Sequence, residues 1–582
     1  MERIDSFIGD EEELKSPEFV SEEQKNKELK KKMKLVILGV FVVMTLFLAF
    51  TIHNYFFNVH PYDKQPLIYL KNNDMFMKNS DKMSIQFTHN ANINNLYNYN
   101  ESNGTSVASG ENKIVYRSES KHDLWFILDG ALYMKANFLI PILIDENVKS
   151  FIINKEGKRV LYVKNINDTL PLYSYKYGTK PEQICENLYF NNSEKSIYMD
   201  QNSNAYGFTE DDNNFYYYKK DADVTKLFCG SNAKNMVEVA QGNNIFNTII
   251  SNKKILFNNE QGLFYKNGSG ERLKIDSDKT QLLFADNNFD YYYLKQIGNG
   301  LVNSLFYAKT SNSTKVSDGI KNVLEYNPKL SVISYSKDSV DGKKDAIYIK
   351  RADQKDEIFV AESSIGVIDR NQSIIDFDIV SDIKSFNELD KLSLDVQFDN
   401  DFNTCLYLDE VKFKSNTNQD GPLINKTIDS GTLFLKQLNS GSYGNSVRID
   451  NDILDFKLSS DGKRVVYLKK VVDVEARDTI SLFYRDISGT ENIEVIKNIA
   501  TVTSIKCGRD LEGITYLDTS GKLYLSNKGT SPKLLQSNVK THNINNIGTI
   551  DIISNIDNGI YICDYNKTPT KVDDGVSQII FY

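Results

Sequence analysis

The side chains able to do chemistry are plentiful in this sequence but form no recognisable constellation. Its 78 acidic residues are the most abundant candidates, because two carboxyl groups held apart can act as acid and base on a glycosidic bond. The densest acidic groups, Glu210-Asp211-Asp212 and Asp399-Asn400-Asp401, carry the oxygens that calcium takes. Neither follows the twelve-residue calcium loop, so solvated turns are the plainer reading. Of five histidines, His53 and His60 lie just after an apolar run, leaving only His89, His122 and His542 further on, without an HExxH pair. No GxSxG elbow marks a serine nucleophile. The cysteines Cys185, Cys229, Cys405, Cys507 and Cys563 form no CxxC pair and read as buried apolar thiols. Tyr216-Tyr217-Tyr218 and Tyr291-Tyr292-Tyr293 suggest a sugar-stacking platform, but neighbours on a strand face opposite ways, which favours core packing. No catalytic, cofactor-binding or metal-ligating residue is assigned, and no cofactor is expected.

Whatever site exists must be positioned by elements that the composition restricts. The chain has 582 residues, 40% of them apolar and 25% charged, a balance that folds rather than remaining disordered. Its 34 Tyr and 32 Phe, with abundant Asn, point to short strands joined by tight turns. A formal charge of −9 offers no basic footprint for nucleic acid.

Leu35 to Ile52 reads LVILGVFVVMTLFLAFTI without a charge, and about 18 residues of helix nearly cross a hydrocarbon core. No small-x-small cleavage site follows, so the segment is expected to stay as a signal anchor. Lys25, Lys27, Lys30, Lys31, Lys32 and Lys34 precede it, against Lys64 and Lys71 after it. The positive-inside bias therefore places the N-terminus in the cytoplasm and the bulk of the chain outside the cell membrane. Ser21-Glu22-Glu23-Gln24 has capping-box spacing, predicting a helix from near Glu22.

Beyond the apolar run the sequence repeats. Lys155-Glu156-Gly157-Lys158-Arg159-Val160-Leu161-Tyr162-Val163-Lys164 parallels Ser460-Asp461-Gly462-Lys463-Arg464-Val465-Val466-Tyr467-Leu468-Lys469, each predicting a tight turn and then a strand. Weaker copies pair one strand with a second ending in Leu-Tyr or Phe-Tyr. They include Leu67–Tyr69 with Met75–Met77, Ile114–Tyr116 with Ala131–Tyr133, Ile255–Phe257 with Gly262–Tyr265, and Ile514–Tyr516 with Leu523–Leu525. On the order of eleven units result, at the spacing of four-stranded propeller blades. Ser577 to Tyr582 reads as a last strand able to complete a blade begun elsewhere.

The segment Lys457 to Tyr467 resembles the SPDGK blade motif of TolB-like and WD40-like β-propellers, and Phe151 to Tyr162 is a looser match. The layout resembles uncharacterised envelope proteins of low-GC Gram-positive bacteria. The resemblance implies an all-β fold of propeller repeats behind one transmembrane helix. Eleven units exceed the usual four to eight blades of one ring, which favours two propellers in series. The expected partition is a cytoplasmic tail over 1–34, a transmembrane helix over 35–57, a first propeller over 63–368, and a second, or a continuation of the array, over 369–582. A dipeptidyl-peptidase-like hydrolase shares the anchor and propeller, but the strand pattern here runs to the last residue, leaving no room for its catalytic domain. The expected function is a non-enzymatic binding or scaffolding ectodomain for a protein or envelope-glycan ligand. The alternative is a carboxylate-dependent glycoside hydrolase or lyase with its site in a propeller channel.

Overall fold

The computed structural model describes residues 22–57 and most of 67–581; 87–114, 189–204, 370–383, 414–427 and several shorter stretches lie outside the described residues. The chain divides into two compact units, Met1–Lys64 with Ser80–Met83, and Gln65–Asn79 with Ser84–Tyr582. The first holds one helix, α1 (Glu22–Phe57), which begins where the capping-box spacing predicts. Val36, Leu38, Phe41 and Val43, on different sides of α1, are each 60–68% exposed. Among the described residues no helix is long and apolar enough to cross a membrane. The side chains from Leu46 to the end of α1 lie outside that description, so the transmembrane expectation rests on the sequence.

The second unit is all-β and propeller-like. Seven four-stranded antiparallel sheets and two double sheets make eleven blades among the described residues. In chain order they occupy 67–86, 115–145, 148–185, 206–242, 246–276, 280–318, 320–363, 396–450, 453–496, 502–536 and 539–573, numbered here 1 to 11. The strands Asn312–Asn327 and Val447–Leu458 run through from blade 6 to 7 and from blade 8 to 9. The last strand, Val576–Phe581, pairs with Leu67–Lys71 and so supplies the first strand of blade 1. Each blade packs on the next through a hydrophobic cluster. One cluster joins Val332 and Ile347 of blade 7 to Val396 and Phe398 of blade 8, so packing runs straight across the boundary expected at 369. Sandwiching explains the tyrosine runs: Tyr291, Tyr292 and Tyr293 all have no exposed surface, because both faces of their sheet are covered. One expected pairing is corrected. Val115–Arg117 pairs with Asp123–Leu128, and only the latter pairs with Ala131–Ala136. The intervening strand has a regular pattern that the sequence reading skipped.

Three local devices recur. The first is the turn between first and second strands: Gly157 and Gly462 take φ of +71° and +68°, the left-handed region that favours glycine. A polar side chain caps each such turn, Asn154 Oδ1 accepting from Arg159 N and Ser459 Oγ from Arg464 N. The second is an aromatic on the second strand stacked on one on the third. Tyr162–Tyr173, Tyr293–Phe306, Tyr467–Phe483 and Tyr516–Tyr524 all have centroids 5.1–5.6 Å apart. Each such pair contributes about 0.5–1.5 kcal/mol beyond its buried area.

The third device locks four of the blades to the next. The fourth strand bulges beside the Leu or Ile that precedes the third-strand aromatic, as at Leu132↔Asp145, Leu263↔Asp276, Leu433↔Asp450 and Ile560↔Asp573. The aspartate at the bulge reaches a Tyr-x-Lys on the second strand of the following blade. Asp145 accepts from Tyr162 Oη at 2.7 Å and Lys164 Nζ at 2.6 Å. Asp276 does the same with Tyr293 and Lys295, and Asp450 with Tyr467 and Lys469. Between the last blade and the first, Asp573 binds Tyr69 at 2.8 Å and Lys71 at 2.5 Å. The last and first blades are thus joined by the same lock as blades 2 and 3, 5 and 6, and 8 and 9. Burial raises the pKa of Asp145, Asp276 and Asp573, but hydrogen bonds from the lysine and tyrosine outweigh it and hold all three below the usual range.

Candidate binding cleft

The interface between blades 9 and 10 is one of several without the lock: the bulge position holds Cys185 between blades 3 and 4, Ala361 between blades 7 and 8, and Ile496 here. Its fourth strand, Ile493–Ile496, carries the usual bulge, with Leu482 opposite Ile496, so Ile496 occupies the place of the locking aspartate. The facing second strand, Gly513–Asp518, presents Tyr516-Leu517-Asp518 where locked blades present Tyr-x-Lys. With the acid replaced by isoleucine and the lysine by aspartate, neither ion pair nor tyrosine bond can form at this end. The other end of the same interface stays fastened: Arg464 Nη2 donates to Glu512 at 2.6 Å and Arg464 Nη1 to the Asp510 carbonyl at 3.1 Å.

At this unlocked interface lies a cleft of about 740 Å³, within the range typical of small-ligand sites. Val495, Ile496 and Pro532 give it an apolar base, Tyr516 and Tyr524 an aromatic wall, and Thr479, Asn498, Thr501 and Thr519 a hydrogen-bonding rim. Lys497 and Asp518 bring one charge of each sign. Both tyrosines and Asp518 are half-buried, and Lys497 is exposed.

The wall is built by the repeat itself. Tyr516 and Tyr524 form the blade's stacked pair, with planes 17° apart. Burial, then Tyr524 and Asp518 nearby, pushes the Tyr516 hydroxyl up to about 12, so it remains a neutral donor at physiological pH. Asp518 Oδ1 accepts from Ser520 N, Ser520 Oγ and Lys522 N at 2.7–2.9 Å. Burial raises this carboxyl, but the Lys522 backbone and Ser520 outweigh it and keep it ionised. Locked blades put an ammonium over the third-strand ring: Lys164 lies 5.5 Å from the Tyr173 centroid and Lys469 5.7 Å from that of Phe483. In blade 10 the corresponding residue is Asp518, so Tyr524 has no such lysine.

Two perturbed groups lie on first strands elsewhere. Glu325 of blade 7 is raised to about 7 by burial, against Lys457 and a hydrogen bond from Phe398 N at 3.4 Å. His542 of blade 11 is lowered to about 4 by burial and by Lys506, with Nδ1 3.3 Å from Ser504 Oγ. Of the residues weighed from sequence, Asp399 caps the turn of blade 8 through Asn403 N and Thr404 N at 2.7 Å. Asp212 binds Asn154 Nδ2 of the preceding blade. Cys185, Cys229, Cys405 and Cys507 are free thiols, three buried and Cys185 half-buried. Glu210, Asp211, His89 and His122 lie outside the described residues. The sequence reading missed the cleft entirely. Tyr-Leu-Asp at 516–518 departs from the Tyr-x-Lys of 69–71, 162–164, 293–295 and 467–469, but Tyr407-Leu408-Asp409 departs in the same way, so no sequence pattern singles the cleft out.

No protein-family model matches the chain, and no curated protein matches it. Among solved structures, a eukaryotic initiation factor aligns over 89% of this chain and 98% of its own, at 8% identity and a TM-score of 0.40. An oligogalacturonate lyase in complex with manganese covers 55% of this chain and 86% of its own, at 10% identity and 0.27. An oligogalacturonate lyase from Vibrio parahaemolyticus covers 52% and 88%, at 12% identity and 0.26. Scores this low carry no function across, and the fold assignment rests on the sheets themselves.

Proposed function

We propose that this chain is a membrane-tethered binding protein of the cell envelope that holds its ligand between blades 9 and 10, outside the cell. The observation that carries the reading is the ligand-sized cleft at this unlocked interface. Ile496 and Asp518 stand where the locked interfaces place an acid and a lysine, and a ligand-sized cleft lies there. A binding seat made by substitution at one interface leaves the strand core undisturbed, which is how repeat folds acquire sites. The tether is supported by the uncharged run from Leu35 and the lysines before it. The SSDGK turn and the four-stranded blades support a place among TolB-like or WD40-like propellers. The lock at Asp573, with packing across residue 369, supports one closed array over two propellers in series.

The enzymatic alternative is favoured by one observation, the near-neutral carboxyl of Glu325. Its named neighbours are a lysine and a backbone N–H, whereas acid–base hydrolysis of a glycoside needs a second carboxyl group in the same chamber. The binding reading therefore stands first. It is tested by retaining envelope components from detergent extracts on the full chain and on Tyr516→Ala. Retention by the parent that drops at least fivefold in the variant is expected, and equal retention by both would refute it. An impermeant thiol reagent on intact cells should label a cysteine added at the C-terminus; labelling only after lysis would reject the orientation.

A further inference from the structure

We propose that the cleft recognises a primary ammonium on a flexible alkyl stem, as on a lysyl side chain, seated over the Tyr524 ring where locked blades seat their own lysine. The inference rests on the binding reading above and names its ligand class. Its basis is internal to the molecule. In three blades this position holds a lysine ammonium near the third-strand ring, 5.5 Å away in blade 3, 4.0 Å in blade 7 and 5.7 Å in blade 9. In each case the lysine lies two residues beyond the second-strand tyrosine, as Lys164, Lys337 and Lys469.

Blade 10 keeps the geometry that receives this ammonium. Tyr516 and Tyr524 are stacked at 5.1 Å like their counterparts, so the ring is presented in the same way. What has changed is the source of the cation. Asp518 takes the place of the lysine and brings a carboxylate to the rim, its Oδ1 held by Ser520 and Lys522. A ring face and an ionised carboxylate are together the features that attract an ammonium. Ile496, in place of the locking acid, makes the base of the cleft apolar, which suits an alkyl stem. Lys497 is exposed and also lines the cleft. It selects against ligands with several closely spaced positive charges and is complementary to an anionic group next to the stem.

The test uses the detergent-solubilised full chain and two probes, Nα-acetyl-lysine methylamide and its uncharged norleucine analogue, followed by saturation-transfer NMR. The lysine probe should bind at least tenfold more tightly than the norleucine probe, weaken at least fivefold in Tyr524→Leu, and weaken with added salt. The decisive variant restores the lock by combining Ile496→Asp with Asp518→Lys. It should lose probe binding and melt at a higher temperature, because the chain's own lysine then fills the seat. Should that pair fail to fold, Tyr524→Leu with the two probes decides alone. Equal binding of both probes, binding of neither, or undiminished binding by a folded lock-restored variant would overturn the proposal. If envelope retention is lost on restoring the lock yet is indifferent to acetylation of ligand amines, the ammonium assignment fails while the cleft remains the binding site.

Discussion

Removing the carboxylate of Asp276 tests whether the inter-blade lock stabilises the array locally. The side chain is 12% exposed and its partner Lys295 31%, so the pair lies between the surface and buried limits. Asp276 accepts from Lys295 at 2.5 Å, Tyr293 Oη at 2.9 Å and Ser277 N at 2.8 Å. In Asp276→Ala, Lys295 can turn partly to water, and Tyr293 keeps its bond to Ser313 at 2.6 Å, so neither is stranded in full. Exposed pairs contribute about 0–1 kcal/mol and broken buried pairs cost about 3–5, which places this loss near 2–3 kcal/mol. Repeat arrays open locally, so the readout is native-state hydrogen exchange of Thr280–Ala285 and Tyr291–Ile297, the strands nearest the lock. Protection there should fall about 30- to 150-fold, the same energy expressed as an opening constant. Because the Asp276 carboxyl is held below its ordinary value of 3.8, its contribution is complete above that pH. It is lost as pH falls through the lower folded value, and the difference between parent and variant should then vanish. Protection within threefold of the parent at neutral pH, or an equal loss in all blades, would refute a local lock.

Glu325 and His542 should give opposing pH dependences. Lowering of His542 from 6.5 to about 4 supplies stability that is complete above pH 6.5 and lost as pH falls towards 4, about 3 kcal/mol in all. Raising of Glu325 from 4.5 to about 7 supplies stability that is complete below pH 4.5 and lost as pH rises through 7. About 3 kcal/mol is its upper figure, since the side chain is not wholly closed to water. The two nearly cancel between pH 4.5 and 6.5, so Glu325→Gln should make urea midpoints fall with acidification and His542→Gln should make them rise; unchanged slopes in both would refute the pairing. Gly462→Ala places a Cβ 2.7 Å from Thr404 Oγ1 at φ +68°, whereas Gly130 at φ +74° faces open space. The first should cost about 2 kcal/mol or more and the second about 1, by thermal denaturation. Equal costs would show that contact at the Gly462 turn contributes nothing.

Much of the architecture was legible in the sequence, because alternation and turn chemistry are local properties. Gly157 and Gly462 announced their turns through the residues beside them, the Leu-aromatic pairs announced third strands, and Ser577 to Tyr582 announced a closing strand without saying what it closes. The spacing at Ser21 to Gln24 likewise marked the start of α1. The pairing of Val576–Phe581 with Leu67–Lys71, and the contact of Asp573 with Tyr69 and Lys71, join residues some five hundred positions apart, and no local pattern encodes that distance. The lock was half visible, since Tyr-x-Lys recurs, but its acid lies on the preceding blade and only packing brings the two together. The cleft is subtler still. A Tyr-Leu-Asp strand and an Ile-Lys strand end are each unremarkable in sequence, and only the packing of blade 9 on blade 10 brings Ile496, Tyr516 and Asp518 to one cleft. Burial also decided what composition could not. The tyrosine runs are core because each sheet is covered on both faces, and Glu325 is near neutral because folding removes its carboxyl from most of its water while Lys457 compensates only in part.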